Sequence, residues 1–219
     1  MAQVFHRSTN TISKLSIVGG MLIAGAFTGA WYFVDRSSFV TLENQPMSQP
    51  VPFSHRHHYS GLGIDCRYCH ASVETSNYAG MPATETCMSC HSQIWRENPL
   101  LEPVRASYAT GVGLRWNRVY DLPNYVYFDH SIHVKKGVGC SECHGRVDQM
   151  PLTWKNSALF MEWCLNCHRD PAQHIRLKSE VFNMNWKAGD DQAASSAKLL
   201  KENPIQKKEL LTSCSTCHR

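Results

Sequence analysis

Near its start the chain carries an unbroken run of apolar and small residues. After His6, Arg7 and Lys14 comes LSIVGGMLIAGAFTGAWYFV, residues 15–34, twenty positions without a charge. About 20 such residues cross the hydrocarbon core of a bilayer as a helix, so the pattern predicts a transmembrane helix over 12–34. Trp31, Tyr32 and Phe33 close it as an interfacial aromatic belt, and the basic flank precedes it. That asymmetry places residues 1–11 in the cytoplasm and everything after Asp35 outside. Thr28-Gly29-Ala30 could pass as a signal-peptide cleavage site; an uncleaved anchor is the expectation. Gly25 and Gly29 form a G-x-x-x-G beside Gly19, Gly20 and Ala24, a spacing that lets helices approach closely in lipid.

Beyond the run the pattern changes. Residues 35–52, with Pro46, Pro50 and Pro52, read as an extended spacer. From residue 53 onward the organising feature is C-x-x-C-H, which occurs at Cys66-Cys69-His70, Cys87-Cys90-His91, Cys140-Cys143-His144, Cys164-Cys167-His168 and Cys214-Cys217-His218. All ten cysteines are consumed. On a helical turn, positions i, i+3 and i+4 share one face. Two thiols can there form thioethers to haem vinyl groups while the histidine ligates the iron, so the motif reads as c-type haem attachment. Structural zinc or disulfides would not require a histidine after every second cysteine.

Five haems on residues 53–219 leave too little polypeptide for an ordinary core. The expected fold is a membrane-anchored multihaem cytochrome c: one N-terminal transmembrane helix, then a haem-cored domain of short helices and loops with little sheet. Covalent haem attachment implies an extracytoplasmic compartment, so the domain is expected outside the cytoplasm, held to the membrane by the anchor. The formal charge of +4 becomes negative once five ferric haems bring their propionates. Lys and Arg are thus propionate partners rather than a nucleic-acid surface, and no basic run argues otherwise.

FSHRHHYSGLGIDCRYCH (53–70) aligns with FDHSIHVKKGVGCSECH (128–144), the second copy being one residue shorter before its cysteines. Each copy is followed by another motif, giving two-haem modules at 53–91 and 128–168 and a fifth site at 214–218. Repetition singles out His55, His58, His130 and His133 as distal axial ligands, with His57 surplus and a swap of His57 for His58 left open. Five haems need a fifth distal ligand. Met150 is favoured from its position before Cys164, with His174, Met161 and Met81 as alternatives; a Met/His haem would sit at higher potential than bis-His neighbours.

The histidine pattern resembles small multihaem cytochromes of the class III and trihaem type. That resemblance implies that His55 serves the Cys66 haem and His130 the Cys140 haem, while His58 and His133 reach neighbouring haems and tie modules together. The anchor, the spacer, FSHRHH, the five motifs and DLPNYVYFDHSIHVKKGVGCSECHGRVDQM…FMEWCLNCHRDP (121–171) are similar to the pentahaem cytochrome c subunit of alternative complex III. The resemblance implies an electron-transfer subunit, without its own catalytic site, in a quinol-oxidising respiratory complex. Its partners would be an iron–sulfur subunit, quinol-binding membrane subunits, and a monohaem cytochrome c or a terminal oxidase. The rival expectations are a self-contained, membrane-anchored quinol dehydrogenase and a multihaem reductase with one open haem site.

Overall fold

The computed structural model describes residues 4–189 and 191–218. Residues 1–3 of the expected cytoplasmic segment, and Arg219 at the end of the expected haem domain, lie outside them. The chain divides into two units, Met1–Glu43 and Asn44–Arg219.

The first unit is helix α1, Thr9–Asp35, followed by the short turn α2, Ser38–Thr41. At 1.5 Å per residue α1 is about 40 Å long, enough for a hydrocarbon core of about 30 Å. Among the described residues it is the one helix long and apolar enough to cross a membrane. Its apolar side chains, from Ile12 and Leu15 to Phe27 and Trp31, are exposed all round, which suits lipid better than water. The Thr28 hydroxyl donates back to the Ala24 carbonyl at 2.9 Å, which satisfies a polar group that lipid could not.

The second unit is built from helices of one to three turns: α3 Cys66–Cys69, α4 Thr84–His91, α5 Glu102–Thr110, α6 His130–Lys135, α7 Cys140–His144, α8 Met161–Arg169, α9 Gln192–Glu202, α10 Lys208–Leu211 and α11 Cys214–Cys217. Among the described residues strand pairing is confined to two isolated antiparallel bridges, Val126 with His218 and Val138 with Ile175. Two of the short helices, α3 and α6, start where an aspartate side chain caps them. Asp65 Oδ1 accepts from the Arg67 N–H at 2.8 Å ahead of α3, and Asp129 Oδ1 accepts from the Ile132 N–H at 3.3 Å ahead of α6.

The polypeptide's own core is small. Val51, Leu101 and Val104 form one buried cluster beside α4 and α5, and Ile175, Val181 and Met184 are buried elsewhere. The end of the proline-containing stretch is not free-standing. Asn44 N–H donates to the Lys155 carbonyl at 2.7 Å and Met47 N–H to Thr153 at 3.2 Å, while Gln49 exchanges hydrogen bonds with the backbone of Asn117.

The extra residue in the first copy of the repeat has a structural outcome. Where the second copy forms α6, the first forms a π-helical turn, Arg56–Gly61, in which Leu62 N–H donates to the His57 carbonyl five residues back at 3.1 Å. A wider turn absorbs one inserted residue without displacing the downstream chain. The attachment helix α3 therefore starts in the same relation to its histidines as α7 does.

Candidate multihaem centre

Each C-x-x-C-H motif falls on a helical turn: α3, the ends of α4 and α8, α7 and α11. None of the ten cysteines is bridged. Burial pushes the Cys66 and Cys143 thiols up to about 12, with the Cys140 and Cys167 thiols adding to the shift respectively, and burial likewise takes Cys167 to about 11. Such thiols stay protonated at neutral pH and are poor thiolate ligands or nucleophiles; a thioether bond removes the charge altogether. Among the described residues no three His, Cys, Asp or Glu side chains converge as a bare ion would need. Haem iron takes four of its ligands from the porphyrin, so it asks the protein only for pairs.

The histidines come in pairs. His58 faces His91 with ring centroids 6.2 Å apart, His130 faces His144 at 6.4 Å, and His133 faces His168 at 6.2 Å. Two imidazoles sharing one iron through Nε2, with metal–nitrogen bonds of about 2 Å, would have centroids about 6.3 Å apart. His55 stands close enough to His70 that the two rings would repel if charged. The residues present therefore fit c-type haem.

Electrostatics and hydrogen bonds prepare these rings for a metal. Burial lowers His55 to about 4, helped by His70 and His58, and lowers His144 to about 4, helped by His130, His70 and His55. His58 and His133 are also lowered, chiefly by burial. A neutral imidazole is the ligating form. Nδ1 lies against a backbone carbonyl at His58 (Ser54, 2.9 Å), His70 (Gly80, 2.7 Å), His91 (Ile94, 2.9 Å), His130 (Asn77, 3.0 Å), His133 (Asp129, 2.7 Å), His168 (Leu211, 2.9 Å) and His218 (Tyr125, 3.2 Å). A carbonyl only accepts, so each Nδ1 carries the proton and each Nε2 presents its lone pair, as metal-binding histidines require.

The repeat is reproduced ring by ring. Phe53 meets His55 edge-on at 4.9 Å and stacks on His58 at 4.4 Å; Phe128 meets His130 edge-on at 4.7 Å and stacks on His133 at 4.5 Å. In this register His57 corresponds to the exposed Ile132 and stacks on Trp95 at 6.0 Å. His58, not His57, faces His91 with near-single-iron separation.

One arrangement has no signal in either copy alone. Each repeat docks its histidines on the segment that succeeds the other repeat's first motif. His130 and Ser131 donate backbone N–H groups to Asn77 and Ser76. In return, Arg56 N–H donates to the Met150 carbonyl at 3.1 Å, the Ser60 hydroxyl to Asp148 at 2.7 Å, and His55 Nδ1 lies 3.0 Å from the Thr153 hydroxyl. The links between modules thus run through His55 and His130, whereas His58 and His133 face the second motif of their own module.

The remaining candidates are scattered. Met150 is 1 % exposed, and its backbone and neighbours are tied to the π-helical turn beside His55. His218 is tied to residues 125–127, where Tyr127 N–H donates to the Cys217 carbonyl at 2.8 Å. Met81 and Met161 are exposed. His174 points Nδ1 at Glu142 Oε2, 3.1 Å away.

Motif helices carrying paired, pre-oriented imidazoles define a multihaem cytochrome c. No family model matches the chain. It is similar to the menaquinone reductase multihaem cytochrome c subunit of Nitratidesulfovibrio vulgaris (strain Hildenborough), with 30 % identity over 165 residues, 75 % of this chain and 69 % of that subunit. The chain belongs to this family of multihaem cytochrome c subunits of quinone-linked complexes.

Proposed function

We propose that the protein is an electron-transfer subunit carrying five covalent c-type haems in a quinol-oxidising membrane complex of the alternative complex III kind. The observation that carries this reading is the set of imidazole pairs at 6.2–6.4 Å. Cys66, Cys69, Cys87, Cys90, Cys140, Cys143, Cys164, Cys167, Cys214 and Cys217 are assigned to the thioethers. His70, His91, His144, His168 and His218 are assigned as proximal ligands, and His55, His58, His130 and His133 as distal ones. Bound there, the haems supply one-electron redox centres whose potentials depend on axial ligand, hydrogen bonding and burial.

The chain sets the order of the sites. Tyr68 and Ser89 hydroxyls, 2.9 Å apart, join the first motif to the second. The reciprocal docking joins the first to the third. His130 and His133 share α6 and so join the third to the fourth, and His168 joins the fourth to the segment ahead of the fifth through Leu211. The route proposed is therefore second, first, third, fourth, fifth, with the second and fifth motifs at its ends.

The Nitratidesulfovibrio relative carries the name of a menaquinone reductase, so the direction of flow belongs to the partners rather than to this subunit. The alternative complex III assignment rests on the 121–171 segment. Its partners would be an iron–sulfur subunit, quinol-binding membrane subunits and a cytochrome c or oxidase, with α1 in the inner membrane and residues from Asn44 onward in the periplasm.

The test compares reduction of the haems by a quinol analogue in the isolated, detergent-solubilised subunit and in the intact complex. Reduction confined to the complex is expected. Equally fast reduction of the isolated chain would instead mean a self-contained quinol dehydrogenase.

Carbon monoxide tests the ligand assignment. His58→Ala is expected to open one reduced haem to carbon monoxide, seen in the difference spectrum, and His57→Ala is expected to leave carbon monoxide binding as in the unaltered protein. The reverse pattern would move the ligand to His57.

A further inference from the structure

The third motif differs from the others in what lies beneath it. Arg176 is 3 % exposed. Its guanidinium donates to Glu142 Oε1 and to the Ser141 hydroxyl, both between the two cysteines of the motif, and packs 4.0 Å over the Trp186 ring. Its backbone N–H donates to the Gly137 carbonyl at 2.8 Å. Two glycines make the room: a Cβ at Gly137, whose φ is +86°, would meet the Arg176 carbonyl, and a Cβ at Gly139 would overlap the guanidinium itself. Arg176 Nε is buried with no hydrogen-bond partner, so part of this cation is poorly compensated. Glu142 accepts from His174 as well.

The first motif, its counterpart in the repeat, also has an ion pair, Asp65 with Arg67, but each side chain is 48 % exposed and water screens it. The pair at the third motif is shielded, with Arg176 at 1 % and Glu142 at 26 % side-chain exposure. Charges removed from water act over longer distances, because the effective dielectric falls.

We infer that the Arg176–Glu142 ion pair sets the reduction potential of the haem on Cys140 and Cys143, the central site of the proposed order. Arg176 is here a positioning residue that also carries charge. The inference rests on the reading of Cys140–His144 as a haem-attachment site. The two partners act with opposite sign. Without Arg176 the Glu142 carboxylate is left unbalanced, stabilises the oxidised haem and lowers the potential. Without the carboxylate the buried guanidinium is left unbalanced and raises it.

The experiment is a redox titration of the full-length, haem-loaded protein and of its Arg176→Gln, Glu142→Gln and double variants, monitored by EPR. The third site's signal is identified as the one lost when Cys140 and Cys143 are replaced by serine; its His130 and His144 planes lie within 15° of parallel, against 66° for His58 and His91 and 31° for His133 and His168. A unit charge about 10 Å away at an effective dielectric near 20 changes an equilibrium about tenfold, or about 59 mV for one electron. Arg176→Gln is expected to shift the third site down by that amount, Glu142→Gln to shift it up, and the double variant to return near the starting value.

Single variants that move the site in the same direction, or not at all, overturn the inference. If Arg176→Gln fails to fold, Glu142→Gln decides alone: a rise supports the inference and no change overturns it. Peptide masses of the unaltered protein that show no haem on Cys140 and Cys143 would instead overturn the proposed function.

Discussion

Produced where haem cannot be attached, the chain from Asn44 onward is expected not to fold. Circular dichroism should show little helix and limited proteolysis should find no protected fragment, whereas the haem-loaded protein resists digestion. The reason lies in the small core. Among the described residues the buried apolar ones are few, with Val51, Leu101 and Val104 in one cluster and Val73, Met150, Ile175, Val181 and Met184 elsewhere. Each stabilises by about 1.5–3 kcal/mol, while ordering a single residue's backbone costs about 1–2 kcal/mol. The helices offer no independent support, since segments of four to eleven residues fall below the length at which isolated helices persist. Haem attachment is then coupled to folding as metal binding is in small metal-dependent domains. A protease-resistant, helical apoprotein would show that the polypeptide packs without its cofactors.

The second large effect is expected at the third motif. Replacing Cys140 and Cys143 by serine should lower the haem content by one per chain and reduce transfer between the second and fifth sites by orders of magnitude. The equivalent change at Cys214 and Cys217 should remove a haem yet leave exchange among the other four. The difference comes from position. His144 sits among His130, His70 and His55, where the two repeats dock, so loss of this site separates one half of the route from the other. The measurement is haem quantified per chain together with the rate at which flash-injected electrons distribute. Equal kinetics in the two variants would exclude the order proposed from the hydrogen bonds.

The features legible in the sequence were those written into a single turn of helix or into repetition. C-x-x-C-H puts its two cysteines on one turn of helix, so α7 spans its motif, α3 and α11 cover theirs as far as the second cysteine, and α4 and α8 carry theirs in their last turns. The repeat of Phe, His and His was legible because both copies had to form the same local turn, and the rings of Phe53 and Phe128 stack on His58 and His133 in the same way. The apolar run was legible because lipid asks for length and composition alone; the helix runs over Thr9–Asp35, slightly beyond the 12–34 segment read from the pattern.

Other features required the chain to be folded. Whether His57 or His58 faces His91 depends on the register of the π-helical turn, in which His58 Nδ1 is held by the Ser54 carbonyl. The one-residue difference between the copies carried no meaning until the π-helical turn absorbed it. The exchange of docking segments between the repeats, and the partnership of Arg176 with a glutamate 34 positions away, leave no local periodicity to read.

The sequence by itself thus determined the chemistry on offer: which cysteines and histidines are spaced as haem attachment requires, how many such motifs there are, and which segment is long and apolar enough to cross a membrane. These come from covalent spacing and from the solvent preference of a continuous stretch. Only the tertiary structure decided which imidazole faces which, the order of the motifs in space and the charge beneath the third one. Those are contacts between residues far apart in the chain, and they exist only after packing has chosen one arrangement among many that the local pattern allows.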